Sequence, residues 1–300
     1  MYVITGATGH TGSTVAEKLI GAGKKVRVIS RNAQHLEKFT QQGAEAFVGD
    51  IADVAAVTKA FSGAEAVYLL IPPSADQPDY RAYQERVSDA YAAAVKSNNT
   101  KYAVALSSFG ADKADKTGPV VGLHNLEKKL EGISNLNALF LRPGYFMENL
   151  LPQIGVINAF GFMAGPVKTD LQLPMIATHD IGVVAAEALS KLDFSGKSHR
   201  ELHGARDLNY NDAAKIIGDA ISKPSLVYQQ LPAAQLKPAF IQMGMSSNVA
   251  DLILEMADAL NTGHMKMQES RTSKNTTSTT LEQFVKEAFV PAFRGKAVTA

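Results

Sequence analysis

Short apolar runs alternate with longer amphipathic stretches through the first half of the chain. Tyr2–Ile4, Val26–Ser30, Ala46–Val48, Ala66–Ile71, Tyr102–Ser107 and Asn137–Leu141 read as strands. Ser13–Ile20, Gln34–Gln41, Val54–Phe61, Pro78–Ser97 and Leu123–Glu131 read as the helices between them. Alternation of this kind predicts parallel βαβ units, hence an α/β fold with a Rossmann-type, doubly wound parallel sheet. Right-handed crossovers bring the C-terminal ends of the strands to one edge, where the ligand crevice of such sheets lies.

After Pro143 the rhythm changes and helices dominate. Val249, Leu252, Ile253, Met256 and Leu260 recur at helical spacing. Asn211 or Asp212 is placed to cap a helix beginning near Ala213. Thr279-Thr280-Leu281-Glu282 reads as a capping box opening a last helix that runs to about Phe289. Glu269–Thr280 is polar and reads as a solvated loop. The expected organisation is a dinucleotide-binding domain over 1–150 and a smaller, mainly helical lobe over 151–300. That lobe should close over the crevice, partly interleaved with the end of the sheet.

The first strand runs into Thr5-Gly6-Ala7-Thr8-Gly9-His10-Thr11-Gly12. Gly6 allows a tight turn off the strand, Gly9 lets backbone approach a pyrophosphate, and Gly12 lets the helix pack on the sheet. The helix N-terminus then directs its unpaired N–H groups and its dipole at the anion. Thr8, His10 and Thr11 add side-chain donors.

Ser30-Arg31-Asn32 follows the second strand, where a carboxylate would read the 2′-hydroxyl of NAD. Arg31 instead offers a planar fork for a 2′-phosphate or a platform for adenine, which favours NADP(H) over NAD(H). Asp50 and Ile51 follow the third strand, as an adenine contact or as a plain turn. Leu70-Ile71-Pro72-Pro73 ends the fourth strand and reads as a stiff loop beside the nicotinamide ribose, with contacts from Ile71 and Pro72, or as a simple strand-ending turn.

Lys and Arg number 30 against 29 Asp and Glu, so no nucleic-acid or polybasic membrane surface is expected. Cysteine is absent, which excludes disulfides and thiolate chemistry and suits a cytoplasmic location. No apolar run is long enough to span a bilayer, and the strand at the N-terminus leaves no room for a signal peptide. His199 and His203 lack a third imidazole nearby, so no metal site is expected.

Together the glycine turn, Ser30-Arg31-Asn32, Gly49-Asp50, Ser107-Ser108-Phe109-Gly110-Ala111, Leu141–Asn149 (LRPGYFMEN) and His179-Asp180-Ile181-Gly182 resemble the NmrA-like branch of the atypical short-chain dehydrogenase/reductases. The resemblance covers essentially the whole chain. It implies a domain binding NADP(H), with Pro143, Gly144, Tyr145 and Phe146 along the nicotinamide. The branch holds NAD(P)H-dependent quinone, triphenylmethane-dye and isoflavone-type reductases. It also holds co-regulators that bind dinucleotide without known turnover.

One departure concerns the chemistry. Typical short-chain dehydrogenases carry Tyr-x-x-x-Lys, and no tyrosine here has a lysine four residues on. His124 and Lys128 share that spacing on one helix. His124, Ser108, Ser107 and Tyr145 are the candidate proton or hydrogen-bond donors. Quinone reduction also proceeds with solvent as the final acid. Met243, Met245, Met256, Met265 and Met267 read either as core or as an adaptable apolar wall. Pro152–Gly165 reads as a cleft wall or as the face of a homodimer. The expected activity is hydride transfer from NAD(P)H to a small apolar or aromatic, quinone-like or conjugated carbonyl substrate. The alternative is a dinucleotide sensor without turnover.

Overall fold

The computed structural model describes residues 1–295. A seven-stranded, all-parallel sheet forms its centre, in the order β3-β2-β1-β4-β5-β6-β9. Its strands are β1 (Tyr2–Ile4), β2 (Val26–Ser30), β3 (Glu45–Val48), β4 (Ala66–Leu69), β5 (Tyr102–Leu106), β6 (Asn137–Pro143) and β9 (Lys197–Leu202). The remaining strands form two small pairs: β7 (Met163–Gly165) with β11 (Tyr228–Gln230), and β8 (Leu173–Pro174) with β10 (Asp207–Leu208). The strand order reverses between β1 and β4, which makes that gap the switch point.

In the first half the helices are α1 (His10–Gly21), α2 (Glu37–Thr40), α3 (Val54–Ala60), α4 (Tyr80–Ser97) and α5 (Val120–Glu131). The second half adds α6 (Gln153–Phe160), α7 (Thr178–Lys191), α8 (Tyr210–Ala220), α9 (Ala233–Gln242), α10 (Ser247–Asn261), α11 (Leu281–Phe284) and α12 (Val290–Phe293). Helices α1 and α7 cover one face of the sheet, with Val15, Leu19, Ile181 and Leu189 in its core. Helices α3, α4 and α5 cover the other, with Phe61, Tyr91, Leu126 and Leu130 buried. A third core, built around Leu150, Tyr210, Ile217 and Phe289, lies mainly in the second half and takes in Phe109, Ala111, Val120 and Met147 from the first.

The second half therefore returns to the sheet. Helix α7 lies so close to α1 that a Cβ on Gly182 would come within 2.6 Å of Thr14. Strand β9 is absent from the sequence expectations because Lys-Ser-His-Arg-Glu-Leu has no apolar run. As an edge strand, buried only at Glu201 and Leu202, it can hold polar side chains.

Three local expectations are corrected. Helix α8 starts at Tyr210, and its cap is Asn209, which accepts from Asp212 N while the Asp212 carboxylate accepts from Asn209 N. At α11 the cap is Thr280, paired with Gln283 N, because Thr279 is engaged by Asp180. A π-turn over Val285–Phe289 then separates α11 from α12. The stretch 269–280 is strapped down rather than freely solvated: the N–H groups of Gln268 and Glu269 donate to Glu201, and His203 pairs with Thr276. Of the expected 151–300 lobe, 296–300 lie outside the described residues.

Candidate dinucleotide and substrate site

Thr5 Oγ1 donates to the Tyr68 carbonyl at 2.9 Å and accepts from Leu70 N at 2.9 Å, which locks the end of β1 to the end of β4. The chain then reverses at Gly6 with φ +64°, where a Cβ would meet Leu70 at 2.6 Å. Gly9 N donates to Gly6 O at 3.0 Å and closes the turn. A Cβ on Gly12 would lie 2.2 Å from Gly6 O, so α1 starts beneath the turn only because residue 12 is glycine. At Gly9 the outward side is open, the nearest atom to a built Cβ being Gly6 O at 3.5 Å. No acidic residue occupies the first turn of α1. An exposed helix N-terminus behind an open glycine, with no carboxylate of its own, fits a pyrophosphate.

The turn opens into a cavity of about 550 Å³. Gly6, Thr8, Gly9, His10 and Thr11 form one end, and Leu70–Pro73, Leu106–Phe109 and Gly144–Phe146 form the floor. Tyr80, Gln84, Pro119, Val120 and Leu123 line one wall; Met256, Leu260 and Met265 line another. Thus Gly6, Thr8, Gly9, His10, Thr11, Ile71, Pro72, Ser107, Ser108, Gly144, Tyr145 and Phe146 come together around one space. Of the five methionines singled out, Met256 and Met265 reach it, whereas Met243 is 62% exposed.

Other expected residues sit elsewhere. Gly12 is buried under the turn. Pro143 is buried at the end of β6, where its carbonyl accepts from Phe109 N. Arg31, Asp50 and Ile51 follow β2 and β3, outside the cavity lining, and Arg31 and Asp50 are exposed. Tyr83 on α4 lies within electrostatic reach of both: burial raises its phenol, Arg31 opposes that shift and Asp50 adds to it. Ile51 and Tyr83 pack against the same core under the sheet's second face. Asp50 accepts from Ala52 N at 2.9 Å, Ser30 Oγ accepts from Asn32 N, and Asn32 Oδ1 accepts from Gln34 N.

His124 does not line the cavity. Its Nδ1 lies 2.8 Å from the Ala111 carbonyl, which engages the ring in holding the 108–112 loop. Lys128 is exposed and pairs with Glu131. The four-residue spacing of His124 and Lys128 therefore does not reproduce a tyrosine–lysine pair in the cleft.

Beneath the floor, Ser107 Oγ donates to Glu127 at 2.5 Å. Glu127, 1% exposed, also accepts both arms of the Arg142 fork, and His199 Nε2 lies 3.3 Å away. Glu127, Glu131 and His199 approach one another closely enough to suggest a cation, but Arg142 already neutralises Glu127.

Residues 143–147 are pinned on both sides. Gly144 N donates to Leu202 O, Tyr145 N to Pro174 O, and Ile176 N to Tyr145 O. A Cβ on Gly144 would lie 2.2 Å from Pro174 O. Tyr145 Oη lies 2.7 Å from Tyr210 Oη, and burial raises the Tyr145 phenol above the ordinary range while Tyr210 and Asn149 oppose that shift. Glu148 accepts from the N–H and hydroxyl of Thr178 at the start of α7. Burial raises its carboxyl, with Thr178 and the nearby His10 acting the other way.

Gln84, Glu148, Thr178 and Leu123 were not foreseen as lining residues. Asp79 capping α4 is the one local signal that would have oriented Gln84, since it sets the register of that helix.

The strand order and the glycine turn at the switch point define a Rossmann-type fold. A model of the NmrA-like family matches residues 2–285, and the chain belongs to that family. It is 26% identical over 258 residues to an NAD(P)H azoreductase of Xenophilus azovorans, covering 85% of this chain and 86% of the relative. It is 28% identical over 262 residues to quinone oxidoreductase 2 of Escherichia coli, covering 85% and 86%. Among solved structures, an NADPH-dependent quinone oxidoreductase of Escherichia coli complexed with NADPH superposes with a TM-score of 0.81 at 24% identity, over 96% of this chain and 100% of that one. No helix among the described residues is long and apolar enough to cross a membrane.

Proposed function

We propose that this chain is an NAD(P)H-dependent reductase, with NADP(H) preferred, acting on quinone-like or other conjugated acceptors. The observation that carries the reading is the continuity of the glycine cradle with an apolar cavity, Gly6–Thr11 at one end and Met256, Leu260 and Met265 along a wall. Named relatives that reduce quinones and azo compounds support the same chemistry.

The first turn of α1 would hold the pyrophosphate, Arg31 the 2′-phosphate, and Ile71, Pro72, Gly144 and Phe146 the nicotinamide end. When bound, the reduced nicotinamide supplies a hydride. A quinone that gains one hydride and one proton becomes the hydroquinone, so the cavity need provide only one proton. Tyr145 is the hydroxyl on the floor suited to give a hydrogen bond or that proton to the acceptor oxygen. Ser107, which donates to Glu127, offers lone pairs to the cavity and holds an amide or hydroxyl hydrogen. The methionine and leucine wall excludes water and accommodates flat apolar molecules. A cytoplasmic location, with its NADPH supply, goes with this reading.

Anaerobic NADPH oxidation against a panel of quinones, azo dyes and conjugated carbonyl compounds tests it. Turnover of at least one class is expected. Tight NADPH binding with no turnover of any of them would replace the reductase with a dinucleotide sensor.

A further inference from the structure

We propose that Tyr210 is a positioning residue: it donates its hydroxyl hydrogen to Tyr145 and so leaves the Tyr145 hydrogen free for the oxygen of the bound acceptor. The proposal rests on the reductase reading for its chemical meaning, but the bond direction it asserts is testable without turnover.

Tyr210 is the first residue of α8 and is 4% exposed. Among the described residues, Tyr145 Oη, at 2.7 Å, is the partner the structure gives its hydroxyl. A pair of hydroxyls can share that bond in either direction. If Tyr145 donated, the Tyr210 hydrogen would be buried without an acceptor, which is a costly arrangement. If Tyr210 donates, its hydrogen is satisfied, and the hydrogen of Tyr145, which lines the cavity, has somewhere to go.

The Tyr210 ring is held against swinging to another acceptor. It stacks on Tyr228 with centroids 4.1 Å apart, and the Tyr228 hydroxyl donates to Val167 O at 3.0 Å. Tyr145 and Tyr210 meet edge-on at 74°. The reciprocal cap of Asn209 and Asp212 fixes the start of α8 beneath them. Burial raises both phenols, and the bond from Tyr210 acts in the opposite direction on Tyr145. A donor behind Tyr145 also stabilises the negative charge that gathers on its oxygen as the hydrogen leaves. In Tyr-x-x-x-Lys enzymes a lysine on the same helix serves that end; here a residue of the second half of the chain does so from the core behind Tyr145.

The test is Tyr210→Phe, which deletes one oxygen and keeps the stacked ring. In isotope-edited infrared spectra with ring-labelled tyrosine, the Tyr145 C–O stretch is assigned by its loss in Tyr145→Phe. That stretch lies lower when the phenol oxygen accepts a hydrogen bond. It should therefore move to higher frequency in Tyr210→Phe without any cofactor present; an unmoved or lowered band overturns the proposal. In turnover, Tyr210→Phe should lower kcat about tenfold with KM unchanged. Tyr145→Phe should lower it at least as much, and the double variant no further. A Tyr210→Phe protein with full kcat, or losses that multiply, would also overturn it. Absence of turnover in the unaltered protein would remove the reductase reading and leave the infrared result to decide the bond direction.

Discussion

Ser107 and Glu127 are joined by a 2.5 Å hydrogen bond that ties the cavity floor to a buried ion pair. The same carboxylate holds the fork of Arg142, whose side chain is 12% exposed. Arg142 precedes Pro143, so the pair anchors the segment that carries Gly144 and Tyr145. Removing one partner of a buried pair leaves the other charge uncompensated and costs about 3–5 kcal/mol. Glu127→Ala should lose that much in urea denaturation, while Ser107→Ala should lose no more than about 1.5 kcal/mol. A Glu127→Ala loss below about 1 kcal/mol would show that the pair anchors nothing.

The three glycines of the turn should separate cleanly. Gly12→Ala drives a methyl into the Gly6 carbonyl and should cost about 1–3 kcal/mol in stability as well as dinucleotide binding. Gly9→Ala has open space and should leave stability within about 0.5 kcal/mol. Its NADPH affinity should still fall about tenfold or more, because the methyl occupies the approach of the pyrophosphate. Calorimetric titration alongside thermal unfolding measures both. Unchanged affinity in Gly9→Ala would place the pyrophosphate elsewhere.

On the proposed reading Arg31 holds the 2′-phosphate and sets the cofactor preference. Arg31→Ala should weaken NADPH about ten- to a hundredfold, the value of a hydrogen bond to a charged group, and leave NADH within about threefold. Equal losses for the two cofactors would assign Arg31 to the adenine ring instead.

His203 makes stability depend on pH. Burial, then Arg271, lowers its pKa, while the Glu269 carbonyl, Asp207 and Glu269 oppose that shift. Its Nε2 lies 3.1 Å from the Glu269 carbonyl, which suits the neutral ring with hydrogen on that nitrogen. Because the folded state favours the neutral ring, the contribution of His203 is fully present above the unfolded value of about 6.5 and is lost as pH falls through the lowered folded value. Thermal midpoints should therefore drop as pH falls below about 6.5 in the unaltered protein, and less so in His203→Gln. Parallel pH curves for the two proteins would contradict this.

Much of this architecture is legible in local sequence because it depends on local chemistry. Gly6, Gly9 and Gly12 announce their turn, and β1, β2, β4 and β5 announce themselves as apolar runs because sheet strands covered on both faces must be apolar. Strand β9 carries no such run, since an edge strand needs pairing but little burial. The walls made by Met256, Leu260 and Met265 depend on how α10 and the segment after it fold back over Phe109 and Gly110, a tertiary fact without a local signature. A Cβ on Gly110 would lie 2.5 Å from Met265, which records how closely the two halves meet. Tyr210 escaped notice for the same reason: its partner, Tyr145, is 65 residues away. His124 shows the converse, a suggestive spacing that tertiary packing spends on the Ala111 carbonyl.

On the proposed reading the glycine cradle and the apolar cavity work as one site for hydride transfer. The most direct measurement is an anaerobic single-turnover reaction, monitored by nicotinamide absorbance, using NADPH deuterated at C4 on either face with an acceptor from the productive class. One NADPH should be oxidised per quinone reduced, and deuterium on one face alone should slow the reaction and be lost from the oxidised nicotinamide, deuterium on the other face being retained. Stoichiometric binding of NADPH with no oxidation by any acceptor, or oxidation indifferent to deuterium on both faces, would contradict the account.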